Sequence, residues 1–200
     1  MSTRDYFCSI ASIDPIRDAV ASGDDALVEA VISLRTQARM EEFGEESQED
    51  AACFRNIAES MIKCDSPPAL EPGCWNYVFE YIARHQMRRP DKNLPFNEGW
   101  KHYECWKPYR KLVASHVPPQ SMTILEHLEH GRPLCGRKVD HDGCVFAWLT
   151  PDEVKELTES LACLPDSVIA DPDLADFHSA LVESLRLITS ESSTLLLSAY

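Results

Sequence analysis

The sequence predicts an α+β fold, mostly helical, with seven or eight helices around a small sheet of about three strands. Three observations carry this expectation. Short runs rich in apolar, aromatic or β-branched residues stand at 6–13, 145–149 and 194–200. Between them, apolar residues recur three or four apart over most of the chain, the spacing of one helix face. At Thr150-Pro151-Asp152-Glu153 a hydroxyl, a proline and a glutamate fall where a capping box places them.

Residues 6–13 read as a strand, stopped by Asp14-Pro15. The same pair starts a helix, with Asp14 as N-cap and Pro15 at the first helical position. That helix is expected to reach Ser22 and to end at Gly23. A longer one follows, with Leu27, Ala30, Val31, Leu34 and Ala38 on one stripe. The block 41–50 holds six acidic residues and no basic one, as in a solvated loop or a helix start. Phe54, Ile57, Ala58, Met61 and Ile62 then make the cleanest amphipathic pattern. Residues 65–73, with three prolines and Gly73, break the chain before a helix over 74–88 that stacks Tyr77, Tyr81 and His85. A proline-marked loop at 90–99 leads into an aromatic, basic stretch expected to break at Pro108 and to end at Pro118-Pro119. Residues 121–130 read as helical. After the strand at 145–149, the capped helix carries Val154, Leu157, Leu161 and Leu164. The last helix, from Asp171-Pro172, carries Leu174, Phe177, Leu181, Leu185 and Ile188. The apolar run at 194–200 needs burial, and pairing with the first strand would supply it.

The whole chain, 1–200, is expected to form one globular domain. Its 200 residues suit one core, 44% of them are hydrophobic, and no repeat or low-complexity linker divides them. No run approaches the roughly 18 apolar residues of a membrane helix, and MSTRDYFCSI does not read as a secretory signal. The expected compartment is therefore the cytoplasm. The eight cysteines are expected to be reduced and to pack as small hydrophobes.

The opening YFCSIASIDPIRDAV, the helix start WLTPDEVKEL and the closing STLLLSAY together resemble uncharacterised bacterial single-domain proteins of unknown function, the YfbM-type proteins among them. The resemblance covers the two ends, roughly 70 residues, and implies an opening strand, a last helix and an apolar final strand. It implies no activity.

A net charge of −14 argues against general nucleic-acid binding, which needs clustered Lys and Arg. The charge is uneven. Residues 84–111 carry eight basic and three acidic residues, a net of +5, whereas 140–200 carry twelve acidic and two basic, a net of −10. Such a field suits a basic protein partner.

Four constellations could carry chemistry or recognition. His127, His130, Cys135, His141 and Cys144 are of zinc-ligand type, although their intervals are looser than those of zinc modules. The expectation is that no metal or other cofactor is bound and that these residues serve packing or solvation. A thiol nucleophile would come from Cys74, Cys105 or Cys135 with His85 or His102 as base, and chance pairs of this kind are abundant here. Glu153, Glu156, Asp171, Asp173 and Asp176 lie in first helical turns, where capping already explains them. Residues 75–111 hold nine of the seventeen aromatics, interleaved with basic residues. They wall either the core or a recognition groove made by Trp75, Tyr77, Tyr81, His85, Trp100 and Trp106. The leading reading is a non-enzymatic binding module, of immunity type, with a basic protein partner. The alternatives are a small hydrolase or transferase with its site in 75–111, and a zinc-binding module.

Overall fold

A computed structural model describes residues 5–44, 47–64, 72–86, 94–98, 100–141, 144–165 and 167–199. Among the described residues, four antiparallel strands form one sheet: β1 (Asp5–Ile10), β2 (Asp140–His141), β3 (Cys144–Leu149) and β4 (Thr194–Ala199), in the order β1-β4-β3-β2. Residues 194–199 do pair with the first strand, Phe7 standing opposite Leu197, and Tyr200 lies outside the described residues. It also pairs on its other edge, where Leu197 faces Ala147 of β3. A central strand between two partners satisfies its backbone on both sides, and all six residues of β4 are buried. Its two faces are also both covered, Leu195 and Leu197 entering one core and Leu196 the other, which is why its leucines run consecutively instead of alternating with polar residues. The two-residue β2 was not anticipated, because so short a pairing has no periodicity to read.

Among the described residues there are eight α-helices and a 3-10 turn at Pro95–Glu98. Helices α1 (Asp14–Ala19), α2 (Asp25–Phe43), α3 (Gln48–Lys63) and α4 (Pro72–Gln86) cover one face of the sheet. Helices α5 (His102–Val113), α6 (Pro119–His130), α7 (Pro151–Ala162) and α8 (Pro172–Ser190) cover the other, together with the 3-10 turn. The strands alternate between the two layers. Cys8, Ile10, Phe146 and Leu196 meet Val31, Phe54, Met61 and Phe79, whereas Phe7, Ala147, Leu195 and Leu197 meet Trp106, Leu125, Leu157 and Phe177. The architecture is thus α+β and mostly helical, with one core on each face of the sheet.

Several helix ends depart from expectation. The N-cap of α1 is Ile13, in helical conformation, rather than Asp14. The Asp14 amide instead donates to the Ser12 hydroxyl at 3.1 Å, and the Asp14 carboxylate takes Arg17 at 2.6 Å. This helix stops at Ala19, short of Ser22. The amides of Ala21 and Gly23 donate to the Met61 and Ile62 carbonyls of α3 at 2.9 and 2.8 Å, so tertiary bonds replace the last helical turn. The acidic block divides: α2 runs on to Phe43, Gly44 closes it with φ 75°, and Ser47 caps α3 by accepting from the Asp50 amide. The expected break at Pro108 does not occur, and α5 continues to Val113. A proline in a helix interior costs ~3 kcal/mol. Burying the full side chains of Trp106, Tyr109 and Val113 returns more, at ~1.5–3 kcal/mol each.

The capping box at α7 forms as expected. Thr150 Oγ1 accepts from the Glu153 amide at 3.3 Å, and the Thr150 amide donates to Glu153 Oε2 at 2.9 Å. Gly131, which ends α6, has φ 75°, and a Cβ there would lie 2.2 Å from the Val139 carbonyl oxygen. Only glycine fits where the chain turns from α6 toward β2.

Candidate functional site

The sheet separates the six residues expected to share a groove. Trp75 and Tyr81 are buried on the α1–α4 side, with Tyr77 at 42% exposure beside them on α4 and His85 exposed near its end. Trp106 is fully buried on the opposite side, and the half-buried Trp100 packs edge-on to Phe177 there, 5.5 Å between centroids. One groove therefore cannot use all six. Most of these aromatics wall the two cores, and the basic residues Arg88, Arg89 and Lys92 lie outside the described residues.

His102 belongs to a buried polar cluster. Its Nδ1 lies 2.6 Å from Asp5 Oδ1 and its Nε2 2.8 Å from the Glu129 carbonyl oxygen, while Trp106 donates to Asp5 Oδ2 at 2.7 Å. Both ring nitrogens face acceptors, so both carry protons and the ring is an imidazolium. Burial opposes that charge, but the Asp5 carboxylate and the Glu129 carbonyl outweigh it and raise the pKa. A histidine at 0% exposure with both nitrogens engaged is a structural tie between β1, α5 and α6, not a base for a thiol. Burial also pushes up the thiols of Cys105 and Cys135, away from the thiolate a nucleophile needs. The side chain of Cys74 lies outside the described residues.

Among the described residues, no three of His, Cys, Asp and Glu are grouped to hold a metal. His127 and His130 are half-buried on α6, Cys135 is exposed in the turn after it, and Cys144 opens β3; the His141 side chain lies outside the described residues. The thiols also depart from the packing expectation. Of those described only Cys8 is buried, Cys105 and Cys144 are intermediate, and Cys53, Cys64, Cys135 and Cys163 are exposed. Cys53 falls off the Phe54, Ala58 and Met61 stripe that faces the core. Two of the five first-turn carboxylates take the capping role expected of them: Glu153 closes the capping box and takes Arg132 at 2.6 Å, and Asp171 caps α8.

Two concave places among the described residues are built where helices meet beyond the edge of a core. The first is a cleft of about 590 Å³ between the chain after α7 and the flank of α8. Leu164, Pro165 and Ile169 form its apolar wall, and α8 contributes His178, Ser179, Glu183 and Arg186. Behind the lining, the buried Tyr109 holds His178: burial raises the phenol pKa, so the hydroxyl keeps its proton and donates to His178 Nδ1 at 2.7 Å. Burial and Arg186 lower the His178 pKa, which leaves a neutral ring with its proton on Nε2. Along the same helix Asp173, Asp176 and Glu183 are exposed, at spacings of three and seven that set them on one side. Sequence reasoning found Asp173 and Asp176 but not Glu183, and it missed the cleft, because its apolar wall is loop and no periodicity marks it.

The second is a groove of about 310 Å³ among α2, α3 and α4, lined by Arg35, Arg39, Asp50, Phe54, Ile57, Tyr77 and Tyr81 with Cys53. Tyr77 and Tyr81 are the part of the expected aromatic groove that the fold retains. The two arginines were not anticipated, although their four-residue spacing on a helix could have indicated a shared face.

No helix among the described residues is long and apolar enough to cross a membrane. No protein-family model matches the chain, and neither the curated proteins nor the solved structures contain a significant match.

Proposed function

We propose that this chain is a non-enzymatic binding module that docks a basic protein against its α7–α8 side, as an immunity-type protein masks a basic toxin. The observation that most supports this reading is the exposed acidic stripe of α8, Asp173, Asp176 and Glu183, running beside the cleft. Segment 140–200, which contains both helices, has a net charge of −10. Rim charges of one sign speed the encounter with an oppositely charged surface. The cleft adds a place to bind: its apolar wall suits the stem of a lysine or arginine, and Glu183 meets the charged head.

Retention of partners from a native lysate at low and high salt, beside Asp173→Lys with Asp176→Lys, tests the reading. A basic protein identified by mass, held by the wild type and lost in both salt and the variant, is the expected result. Its titration should weaken steeply past ~0.1 M salt, where the Debye length is about 10 Å. Retention of nothing, or of partners indifferent to salt and variant, would remove the proposal.

A further inference from the structure

The α7–α8 cleft holds one group that an acidic docking face does not account for. Arg186 lines it on α8, three residues beyond Glu183. A cation here repels a lysine or arginine entering the cleft, unless that guest also brings a negative charge. Residues three apart on a helix are neighbours, yet Glu183 and Arg186 are not paired with each other. Among the described residues neither has an ion pair or a hydrogen bond, so both charges are open to a ligand. The cleft therefore offers one carboxylate and one guanidinium, facing the apolar wall of Leu164, Pro165 and Ile169.

The other polar groups agree with a guest that carries an anion as well as a cation. Tyr109 occupies His178 Nδ1 at 2.7 Å, which leaves Nε2–H as a donor without an acceptor among the described residues. Arg186 is close enough to that ring to act on its charge, so the two donors serve one wall. Ser179 and Glu183 fall between them in sequence, on a stretch of helix about 12 Å long at 1.5 Å per residue. A volume of about 590 Å³ is within the range of ligand sites and suits a residue with its backbone better than a side-chain tip alone. Ser179, Glu183 and Arg186 are exposed, so the occupant leads out into solvent, as the end of a chain does. A lysine or arginine inside a chain brings a stem and a cation. At a free carboxy terminus it brings a carboxylate too, the one charge that Arg186 requires.

We propose that the α7–α8 cleft receives the carboxy-terminal residue of the basic partner, a lysine or arginine whose α-carboxylate meets Arg186 and whose side-chain cation meets Glu183. This inference rests on the docking of a basic protein at this face and specifies which part of that protein enters. The guanidinium fork of Arg186 matches a carboxylate in a bidentate pair. The stem of the guest lies along Leu164, Pro165 and Ile169. Glu183 selects the basic side chain, and Arg186 selects the chain end.

Calorimetric titration of the whole chain with three short peptides tests this. They are acetyl-Gly-Gly-Arg with a free carboxyl terminus, the same peptide as its amide, and acetyl-Gly-Gly-Ala with a free carboxyl terminus. The first should bind saturably with a Kd on the order of 1 mM or below. Each of the others should bind about fivefold more weakly or worse, since each lacks one of the two charges. Arg186→Gln should abolish the preference for the free carboxyl over the amide. Glu183→Gln should abolish the preference for arginine over alanine. Each variant thus keeps the preference that the other loses, which a misfolded chain could not do. Equal binding of the acid and the amide would overturn the inference while leaving the docking of an internal basic side chain intact. No saturable binding of the first peptide, or either preference surviving its variant, would overturn it as well. Failure of the docking itself is read separately, in lysate retention indifferent to Asp173 and Asp176, two residues outside the cleft lining.

Discussion

At the scale of single residues, the buried imidazolium of His102 is the most consequential group in the structure. Its two hydrogen bonds tie the first residue of β1 to the start of α5 and the end of α6, with the Asp5 carboxylate also holding Trp106. Because its folded pKa is raised above the ordinary 6.5, the stability it contributes is fully present below that value and is lost as pH rises through the folded one. His102→Gln should cost about 3–5 kcal/mol near neutral pH, the range for removing one partner of a buried pair. Urea unfolding of both proteins across the range 5–9 should show the cost greatest at the acid end and shrinking upward. His127 and His178 have lowered pKa values and the opposite sign, but they titrate alike in both proteins and drop out of the difference. A cost independent of pH would show that His102 is neutral. The sequence places His102 among candidate bases, and only the fold, by bringing residue 5 against residue 102, gives it this role.

Among the elements, α7 and α5 illustrate two ways in which local signals meet tertiary packing. The capping box of α7 is local: four consecutive residues contain both hydrogen-bonding partners, so the sequence alone displays it. Thr150→Ala should destabilise by about 1 kcal/mol in urea unfolding, and no measurable change would show that the Glu153 carboxylate alone holds the helix start. Pro108 is a local stop signal that packing overrides. Its ring is exposed, so removal sacrifices no core contact. Pro108→Ala should therefore stabilise by about 1–3 kcal/mol as the missing amide bond is restored. A destabilised variant would mean that the helix depends on the rigid φ of the proline. Exposed Cys53 and Cys64 belong at this scale as well: cysteine is compatible with core or surface, so only the direction of the Phe54 stripe decides.

At the scale of the whole molecule, β4 joins the two layers. It separates β1 from β3 and contributes Leu195 and Leu197 to one core and Leu196 to the other. Removing residues 194–200 should leave the sheet in two parts and both cores open. Circular dichroism on heating should then find no cooperative transition. A truncated chain that melts at the unchanged temperature would show that the helical layers are stable without the strand.

The sequence by itself determined the fold class, the three longer strands, the pairing of the first strand with the 194–200 run and most helix positions. These depend on apolar periodicity and capping, which act over a few residues. Tertiary structure decided what depends on distant neighbours. It placed β4 at the centre, dispersed the aromatic segment to both sides of the sheet, buried His102 against Asp5 and opened the α7–α8 cleft and the α2–α4 groove. A side chain's chemical character is set by residues far along the chain, through burial, charge and hydrogen bonding. A concave surface exists only once separate elements have packed around it.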